Sequence, residues 1–212
     1  MSNSPDLTNK TAVITGASRG IGEAAARYLA SLGAHVVLAA RSADAIDRIV
    51  TEIHGTGGKA HAVATDVADN YAVATLIAKA VDVTGRLDLL VNNAGVIDPI
   101  SRIMESDPKS WADVIDVNVK GVYYGLRHAM PVMTAQAGGG TIVNISSGAA
   151  NSALEGWSHY CASKAAVQRL TGVAHKEAHG LGVREFDLSP GTVATAMQRQ
   201  IRASGINTVI QI

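Results

Sequence analysis

The sequence predicts an α/β protein built on a doubly wound parallel sheet with helices on both faces. Short β-branched runs alternate strictly with longer segments of helical periodicity, and the spacing between the runs leaves room for helix-length crossovers. Because such crossovers are right-handed, successive helices fall on opposite faces of the sheet. The 212 residues suffice for one core. We therefore predict a single domain over residues 1–212.

The elements follow from the alternation in chain order. The predicted strands are residues 12–15, 35–40, 60–64, 87–91, 141–145 and 183–188. The predicted helices are residues 21–32, 43–54, 70–83, 108–134, 160–179 and 194–203. Gly33 ends the first helix, and Pro131 bends or ends the fourth one late.

The end of the chain departs from this regular pattern. Glu185 and Asp187 lie in the sixth strand, where a central parallel strand is usually apolar, so this strand is predicted to be strained or partly exposed. The final helix has only Met197 and Ile201 as a narrow apolar stripe. Unanchored termini are usually poorly ordered, so residues 192–212 are predicted to form a mobile lid or tail.

Composition excludes several classes of function. Eighteen basic and eighteen acidic residues give a formal net charge of zero, which argues against a nucleic-acid or membrane-surface partner. Cys161 is the only cysteine, which predicts a reducing compartment. Residues 1–9 lack a signal-peptide core and no apolar run reaches spanning length, so we expect a cytoplasmic protein. The seven histidines show no metal-ligand pattern, and no metal is predicted.

The unusual residues of the sequence all follow the ends of predicted strands. They are the glycine loop 16–22, Arg41, Asp66, the run 92–95, Ser146 with Ser147, and Pro190 with Gly191. The carboxyl ends of parallel strands share one edge of the sheet, and ligands bind there at the switch point of the strand order. This convergence predicts one binding site at that edge.

The loop after the first strand has the composition of a phosphate-binding turn. It reads Thr15-Gly16-Ala17-Ser18-Arg19-Gly20-Ile21-Gly22, with G-x-x-x-G-x-G spacing. Gly16 permits the tight turn, Gly20 allows backbone to approach a pyrophosphate, and Gly22 allows the helix to pack on the strand. The helix N-terminus adds free N–H groups and positive dipole. The predicted dinucleotide-binding residues here are Gly16, Ser18, Arg19, Gly20, Ile21 and Gly22. The alternative is an ordinary strand–helix turn.

The region after the second strand indicates which dinucleotide is bound. Proteins that read the ribose hydroxyl of NAD often carry an acid there, whereas residues 38–42 contain none. Arg41 and Arg19 instead supply two guanidinium groups, which suit a 2′-phosphate. The sequence favours NADP over NAD, the alternative being two solvated surface arginines.

Tyr160 and Lys164 form a candidate acid–base pair. Residues four apart share a helix face. A phenol titrates near pH ~10 in water, and a nearby cation lowers that pKa. The pair is therefore a plausible general acid–base unit; taken alone, it could equally be a surface pair.

Together these motifs resemble the short-chain dehydrogenase/reductase family, in its single-domain branch of 3-oxoacyl-carrier-protein-reductase-type carbonyl reductases. The resemblance covers about residues 10–197 and implies a Rossmann-type sheet. It rests on Thr15-Gly16-x-x-x-Gly20-x-Gly22, Asp66-Val67, Asn92-Asn93-Ala94-Gly95, Asn118, Ser147, Tyr160-x-x-x-Lys164 and Pro190-Gly191.

The resemblance implies four catalytic residues. Tyr160 would exchange a proton with the substrate oxygen, and Ser147 would hydrogen-bond that oxygen. Lys164 would hold the nicotinamide ribose and lower the pKa of Tyr160. Asn118 would anchor a water molecule in a proton relay. The alternatives are that Ser147 only caps the next segment and that Asn118 only satisfies a helix backbone.

The resemblance also implies the remaining cofactor contacts. Asp66 would bond the adenine amino group, with Val67 beside it, although Asp66 could instead be a turn residue. The adenosine side would be lined by Asn93 and Gly95. The carboxamide would be met by Val193 and Thr195, in the stretch that begins with Pro190 and Gly191.

Two departures from the family pattern stand out. Phe186 occupies a position where the family usually has an asparagine. Family members usually continue past the lid with a helix and a seventh strand, so the C-terminal end is expected to be shortened. Residues 208–210 could replace that strand, but the crossover before them is too short for a parallel one.

The sequence thus predicts an NADP-dependent oxidoreductase that interconverts a ketone and a secondary alcohol. The alternative is a catalytically weak nucleotide-binding or assembly protein on the same fold. A homodimer is expected, with a tetramer as the alternative, through the helices that carry Asn118 and Tyr160. The candidate apolar stripes are Val122, Tyr123, Leu126 and Met130 on one helix and Val167, Leu170 and Val173 on the other. They could also face only their own sheet.

Overall fold

A computed structural model describes residues 5–206, and its centre is a six-stranded parallel sheet. The strands are β1 (Thr11–Thr15), β2 (His35–Ala40), β3 (Lys59–Ala64), β4 (Leu89–Asn92), β5 (Gly140–Ile145) and β6 (Val183–Leu188). Their spatial order is β3-β2-β1-β4-β5-β6, and each neighbouring pair is parallel. The order reverses between β1 and β4, which places the switch point at their carboxyl ends.

Within residues 5–206 seven α-helices accompany this sheet. They are α1 (Gly20–Ser31), α2 (Ala43–Gly55), α3 (Asn70–Thr84), α4 (Pro108–Ile115), α5 (Gly121–Ala135), α6 (Ser158–Ala178) and α7 (Ala196–Ser204). One buried cluster joins β1 and β2 to α1 and α2, for example Ile14, Leu38 and Ile49. The other joins the opposite face to α3, α5 and α6, for example Leu90, Leu126 and Val167. The predicted doubly wound α/β class is confirmed.

Strand β4 begins at Leu89 rather than at the predicted residue 87. The side chain of Gln136 explains the difference: its Oε1 accepts from Leu87 N at 3.0 Å, and its Nε2 donates to Leu87 O at 2.7 Å. Side-chain hydrogen bonds thus replace the strand ladder at Leu87. The carboxylate of Asp88 is also engaged, accepting the backbone N–H of Thr11 at 2.9 Å.

The predicted single helix over residues 108–134 is three segments. After α4, residues Asp116–Lys120 form one π-turn, and α5 follows directly. A π-turn inserts an extra residue into the helix and is often found at functional sites. Pro131 lies inside α5 without ending it, and α5 continues to Ala135.

Two further helix boundaries differ from the prediction. Helix α6 begins at Ser158, two residues early, and Ser158 Oγ accepts a hydrogen bond of 3.0 Å from the indole nitrogen of Trp111 on α4. Helix α7 begins at Ala196 rather than at residue 194, because Thr195 has extended backbone (φ −120°) and is its N-cap.

Strand β6 lies at the outer end of the sheet and is partly exposed. Phe186 and Leu188 are about half exposed. Glu185, by contrast, has a buried side chain, and its closest ionic partner is His175 Nδ1 at 3.6 Å. Burial raises the pKa of Glu185, while His175 acts in the opposite direction. Of the two acidic residues in this strand, Glu185 is therefore the one whose carboxyl group lies in an unfavourable, buried environment. The possible strand over residues 208–210 lies outside the described residues.

Most of the residues predicted to form dimer stripes face the chain's own core instead. Val122, Leu126 and Val167 belong to the buried cluster under α5 and α6, and Met130 and Leu170 pack against it. Because α5 and α6 pack on one face of the sheet, most of their apolar side chains are buried against it. Tyr123 and Val173 remain exposed, at 48% and 53%. Along residues 5–206, none of the helices is both long and apolar enough to cross a bilayer.

Candidate active site

The carboxyl ends of the strands open into a cleft of about 1320 Å³. It runs from the ends of β2 and β3 across the glycine loop to α6 and α7. Seventeen of the nineteen predicted site residues line it. Gly22 and Asn118 do not line it and are buried behind it.

The glycine loop is tightly packed against the residues that follow β4. Gly16 has a φ of +64°, and a Cβ there would lie 2.8 Å from Ala94 Cα. A Cβ on Gly22 would lie 2.5 Å from both the side-chain nitrogen of Asn93 and the carbonyl oxygen of Gly16. Gly22 therefore permits α1 to approach the loop and Asn93, rather than the strand itself.

The hydroxyl of Thr15, the first residue of the predicted glycine motif, ties this region together. Thr15 Oγ1 accepts hydrogen bonds from the backbone N–H groups of Asn93 and Ala94, at 3.0 and 3.1 Å, and donates to Val91 O. The side chain of Asn93 donates to Thr15 O at 2.9 Å and to Gly16 O at 3.2 Å. The Asn93 amide thus holds the glycine loop, and its predicted contact with adenosine stays a prediction.

The end of the cleft near β2 and β3 carries the charged residues. Arg19 and Arg41 are both exposed and line it. Within the described residues no side chain caps the N-terminus of α1, where Arg19 is the N-cap, so its first N–H groups are available. Asp66 also lines the cleft, and its Oδ1 accepts from Ala68 N at 3.0 Å, as expected of a turn residue.

Asn118 lies in the π-turn and is fully buried. Its Oδ1 accepts from Val96 N, and its Nδ2 donates to Val96 O, both at 2.9 Å. The same Nδ2 donates to Ser163 Oγ at 3.0 Å, and Ser163 Oγ donates to Tyr160 O at 2.8 Å. Asn118 therefore joins the loop after β4 to the first turn of α6, while one acceptor position of Oδ1 remains.

Tyr160 and Ser147 lie together at the other end of the cleft. Tyr160 is 7% exposed, and Trp157 packs edge-on against it with ring centroids 5.8 Å apart. Burial raises the pKa of the Tyr160 phenol, and the Ser147 side chain acts in the opposite direction. Ser147 Oγ also accepts from Ala149 N at 3.2 Å, so it caps the next turn while it lines the cleft.

Lys164 is buried directly behind Tyr160. Its Nζ donates to Ile145 O at 2.7 Å and lies 5.5 Å from the centroid of the Tyr160 ring. A Cβ on Gly95 would lie 3.7 Å from Nζ, so the loop after β4 closes over the ammonium group. Burial lowers the pKa of Lys164 to about 8, with Asp187 acting against that shift.

The expectation that Lys164 lowers the pKa of Tyr160 stays a prediction. In this structure burial raises the pKa of the Tyr160 phenol and lowers the pKa of Lys164 to about 8. Burial disfavours the charged form of both side chains, and spacing in the sequence does not reveal this effect.

Helix α7 lies over the mouth of the cleft. Ile201 is only 3% exposed and packs with Ile97, Trp157 and Tyr160. Gln200 Nε2 donates to Asp98 Oδ2 at 2.7 Å, which links α7 to the loop after β4. The predicted lid is thus a packed helix in this structure, and its mobility stays a prediction.

Two buried polar residues next to Tyr160 and Lys164 were not predicted as part of the site. His159 is fully buried, and its Nε2 lies 2.5 Å from Ile97 O. Ser163 lies between the two catalytic candidates of α6, and its polar type inside a helix was the available signal.

Comparison with known proteins agrees with this geometry. The family model for short chain dehydrogenase matches residues 10–205. A 3-oxoacyl-[acyl-carrier-protein] reductase from Synechocystis sp. is 38% identical over 201 residues, covering 94% of this chain and 81% of that protein. A cyclohexanol dehydrogenase from Acinetobacter sp. is 36% identical over 191 residues, covering 90% and 76%.

A solved structure of similar fold contains a cofactor. It is a metagenomic short-chain oxidoreductase in complex with NADP, 37% identical, with a TM-score of 0.84 over 94% of this chain and 91% of that one. The family match and this degree of identity lead to one conclusion. The chain belongs to the short-chain dehydrogenase/reductase family of oxidoreductases.

Proposed function

We propose that this protein is an NADP-dependent oxidoreductase that interconverts a ketone and a secondary alcohol. The observation that carries the proposal is the layout of one cleft. Two exposed guanidinium groups, Arg19 and Arg41, lie at one end, and Ser147, Tyr160 and Lys164 lie at the other. A dinucleotide would span this distance with its phosphates at the N-terminus of α1.

The residues present fit a nicotinamide dinucleotide. The uncapped N-terminus of α1 offers N–H groups to a pyrophosphate. Lys164 has three donors, of which one is used on Ile145 O, so two remain for ribose hydroxyls. Pro190, Gly191, Val193 and Thr195 line the cleft beside them and could meet the carboxamide. When bound, the nicotinamide supplies or accepts the hydride.

The protein's own residues would supply orientation and the proton. The raised pKa of Tyr160 keeps its phenol protonated at neutral pH, ready to donate to a carbonyl oxygen. Ser147, on the opposite side of that oxygen, would donate a second hydrogen bond. The remaining acceptor position of Asn118 Oδ1 lies beside Gly95 and close to Lys164, where a water molecule could pass the proton onward.

The preference for NADP is supported by the charge at the far end of the cleft. Arg19 and Arg41 line it, and the acid Asp66 follows β3 rather than β2. Guanidinium groups bind phosphate oxygens in bidentate fashion. One similar solved structure was obtained in complex with NADP.

We also propose a homodimer, formed by the exposed faces of α5 and α6. The proposal rests on Tyr123 and Val173, which are large, apolar and about half exposed. A dimer of this kind is compatible with either the enzyme or the rival, a catalytically weak nucleotide-binding or assembly protein.

One experiment separates the enzyme from this rival. Consumption of NADPH is followed with a panel of ketones, and cofactor binding is measured in parallel by fluorescence titration. Turnover of at least one ketone, with NADPH preferred to NADH, supports the enzyme. Cofactor binding without turnover of any ketone, by either cofactor, contradicts it and favours the rival.

A further inference from the structure

We propose that the substrate is a neutral, compact, apolar ketone of about the size of an alicyclic ring, selected by Ile201 and Asp98. This inference rests on the proposed ketone–alcohol chemistry and goes beyond it. It concerns the half of the cleft that lies between Tyr160 and α7.

The wall of this half of the cleft consists of apolar side chains from three segments that are far apart in the sequence. Ile97 follows β4, Ala149 and Trp157 lie between β5 and α6, and Ile201 lies on α7; with Tyr160 they form one buried cluster. Met197 and Leu154 pack against it and also line the cleft. The reacting phenol therefore faces apolar surface, on which an apolar substrate gains by burial.

The outer end of this wall is closed by α7. Ile201 is almost completely buried, and the hydrogen bond from Gln200 to Asp98 fastens the next-to-last turn of the helix to the loop after β4. We therefore expect a compact ketone to be accommodated beneath the helix. We expect a substrate with a long thioester arm to be disfavoured, because an arm that crossed α7 would break this contact.

The charges around the wall disfavour anionic substrates. Among the described residues the cations that line the cleft are Arg19, Arg41, Lys164 and Arg199. Arg19 and Arg41 follow β1 and β2, and Lys164 is bound to Ile145 O. Arg199 is exposed and, two residues from both Met197 and Ile201, does not belong to the apolar cluster.

Asp98 is the charged side chain beside the apolar wall. It lines the cleft directly after Ile97 and is held there by Gln200. A carboxylate or phosphate held against the apolar wall would meet this negative charge, and like charges brought together at a site select against the wrong ligand. The site therefore selects for neutral ketones by repulsion as well as by shape.

The test compares matched ketones in the NADPH assay, in which each reduction consumes one NADPH and one proton. Cyclohexanone is the neutral probe and 4-oxocyclohexanecarboxylate the anionic one, with the same ring. An acetoacetyl N-acetylcysteamine thioester represents extended substrates. We expect kcat/KM for cyclohexanone to exceed both others by at least about tenfold.

Two variants test the assigned residues through ratios, which do not depend on the fraction of folded protein. Asp98→Asn keeps an acceptor for Gln200 and removes the charge, so the ratio of anionic to neutral kcat/KM should rise at least about threefold. Ile201→Ala should shift the ratio of 2-decalone to cyclohexanone toward the larger ketone by about tenfold. Ile201→Val is the graded control and should give a smaller shift.

The outcomes are distinguishable. A preference for the anionic ketone or for the thioester overturns this inference but not the proposed function as a ketone reductase. Unchanged ratios in both variants show that Asp98 and Ile201 do not select the substrate. Failure of every ketone with both cofactors, while NADPH still binds, overturns the proposed function and this inference together.

Discussion

The ammonium nitrogen of Lys164 lies 5.5 Å from the centre of the Tyr160 ring and is hydrogen-bonded to Ile145 O rather than to the phenol. Both side chains are buried, and both pKa values move against ionisation: that of Tyr160 rises, and that of Lys164 falls to about 8. In the protein without ligand, Tyr160 is therefore a neutral acid at neutral pH. Beside it, Lys164 is a cation that loses its proton more readily than an exposed lysine. Its charge state depends on pH in a range that is accessible to experiment.

The first prediction concerns the proton donor. Tyr160→Phe removes the phenolic hydroxyl but keeps the ring that packs against Trp157. General acid catalysis contributes ~10²–10⁴-fold, so kcat for ketone reduction should fall by about that factor. The dissociation constant for NADPH, measured by fluorescence titration, should change less than about threefold, within ~0.7 kcal/mol. Tyr71→Phe, which changes an exposed tyrosine, is the control. Turnover at the wild-type rate in Tyr160→Phe would contradict the proposed mechanism.

The second prediction follows from the lowered pKa of Lys164. Its pKa falls from 10.5 in the unfolded chain to about 8 in the fold, so the folded state disfavours the charged form. The penalty is absent above pH ~10.5, grows as the pH falls toward 8, and is complete below that value. The total amounts to about 3 kcal/mol of unfolding free energy.

Urea unfolding from pH 7 to 10.5 measures this effect. The stability of the wild type relative to Lys164→Met should increase with pH over that window. Lys176→Met, which changes an exposed lysine on the same helix, should show no such trend relative to the wild type. A pH-independent difference between wild type and Lys164→Met would mean that the lysine is not desolvated.

The third prediction concerns cofactor choice. Arg41→Ala removes a guanidinium that only the 2′-phosphate of NADPH would engage, and charge-assisted bonds of this kind are worth ~1.5–3 kcal/mol. NADPH binding should weaken by about 10-fold or more, while NADH binding stays within about twofold. Arg48→Ala on α2, outside the cleft lining, is the matched control. Equal losses for both cofactors would refute the assignment.

The fourth prediction addresses the dimer. The double variant Tyr123→Glu/Val173→Glu places charges on the two exposed apolar residues of α5 and α6, and burying these charges in an interface would be costly. Sedimentation velocity at micromolar concentration should show a dimer for the wild type and a monomer for the variant. Tyr71→Glu, on α3, should leave the dimer intact. A monomeric wild type would exclude the proposed assembly.

The fifth prediction tests the lid. Few contacts hold α7: chiefly Ile201, Met197 and the hydrogen bond of Gln200. Closing segments are usually drawn from the less stable parts of a fold. Amide exchange in α7 should be fast without ligands and slower with NADP and substrate bound. Protection in the empty protein as strong as that of β4 would show that α7 is part of the core.

Features that depend on local spacing were predictable from the order of residues along the chain. The β-α alternation and the helix-length crossovers predicted the parallel sheet, and the glycines of residues 16–22 predicted the turn before α1. The four-residue interval between Tyr160 and Lys164 predicted a shared helix face. Such features are encoded within one or two turns of chain, so periodicity and residue type suffice to predict them.

Only the tertiary structure decided how these residues are bonded and desolvated. Asn118 meets Val96 across 22 positions and Ser163 across 45, and Thr15 Oγ1 meets Asn93 across 78. The direction of the Tyr160 pKa and the inward packing of Val122 and Leu126 likewise depend on which surfaces meet. Burial and long-range hydrogen bonds are properties of the assembled layers, and no local pattern in the chain carries that information.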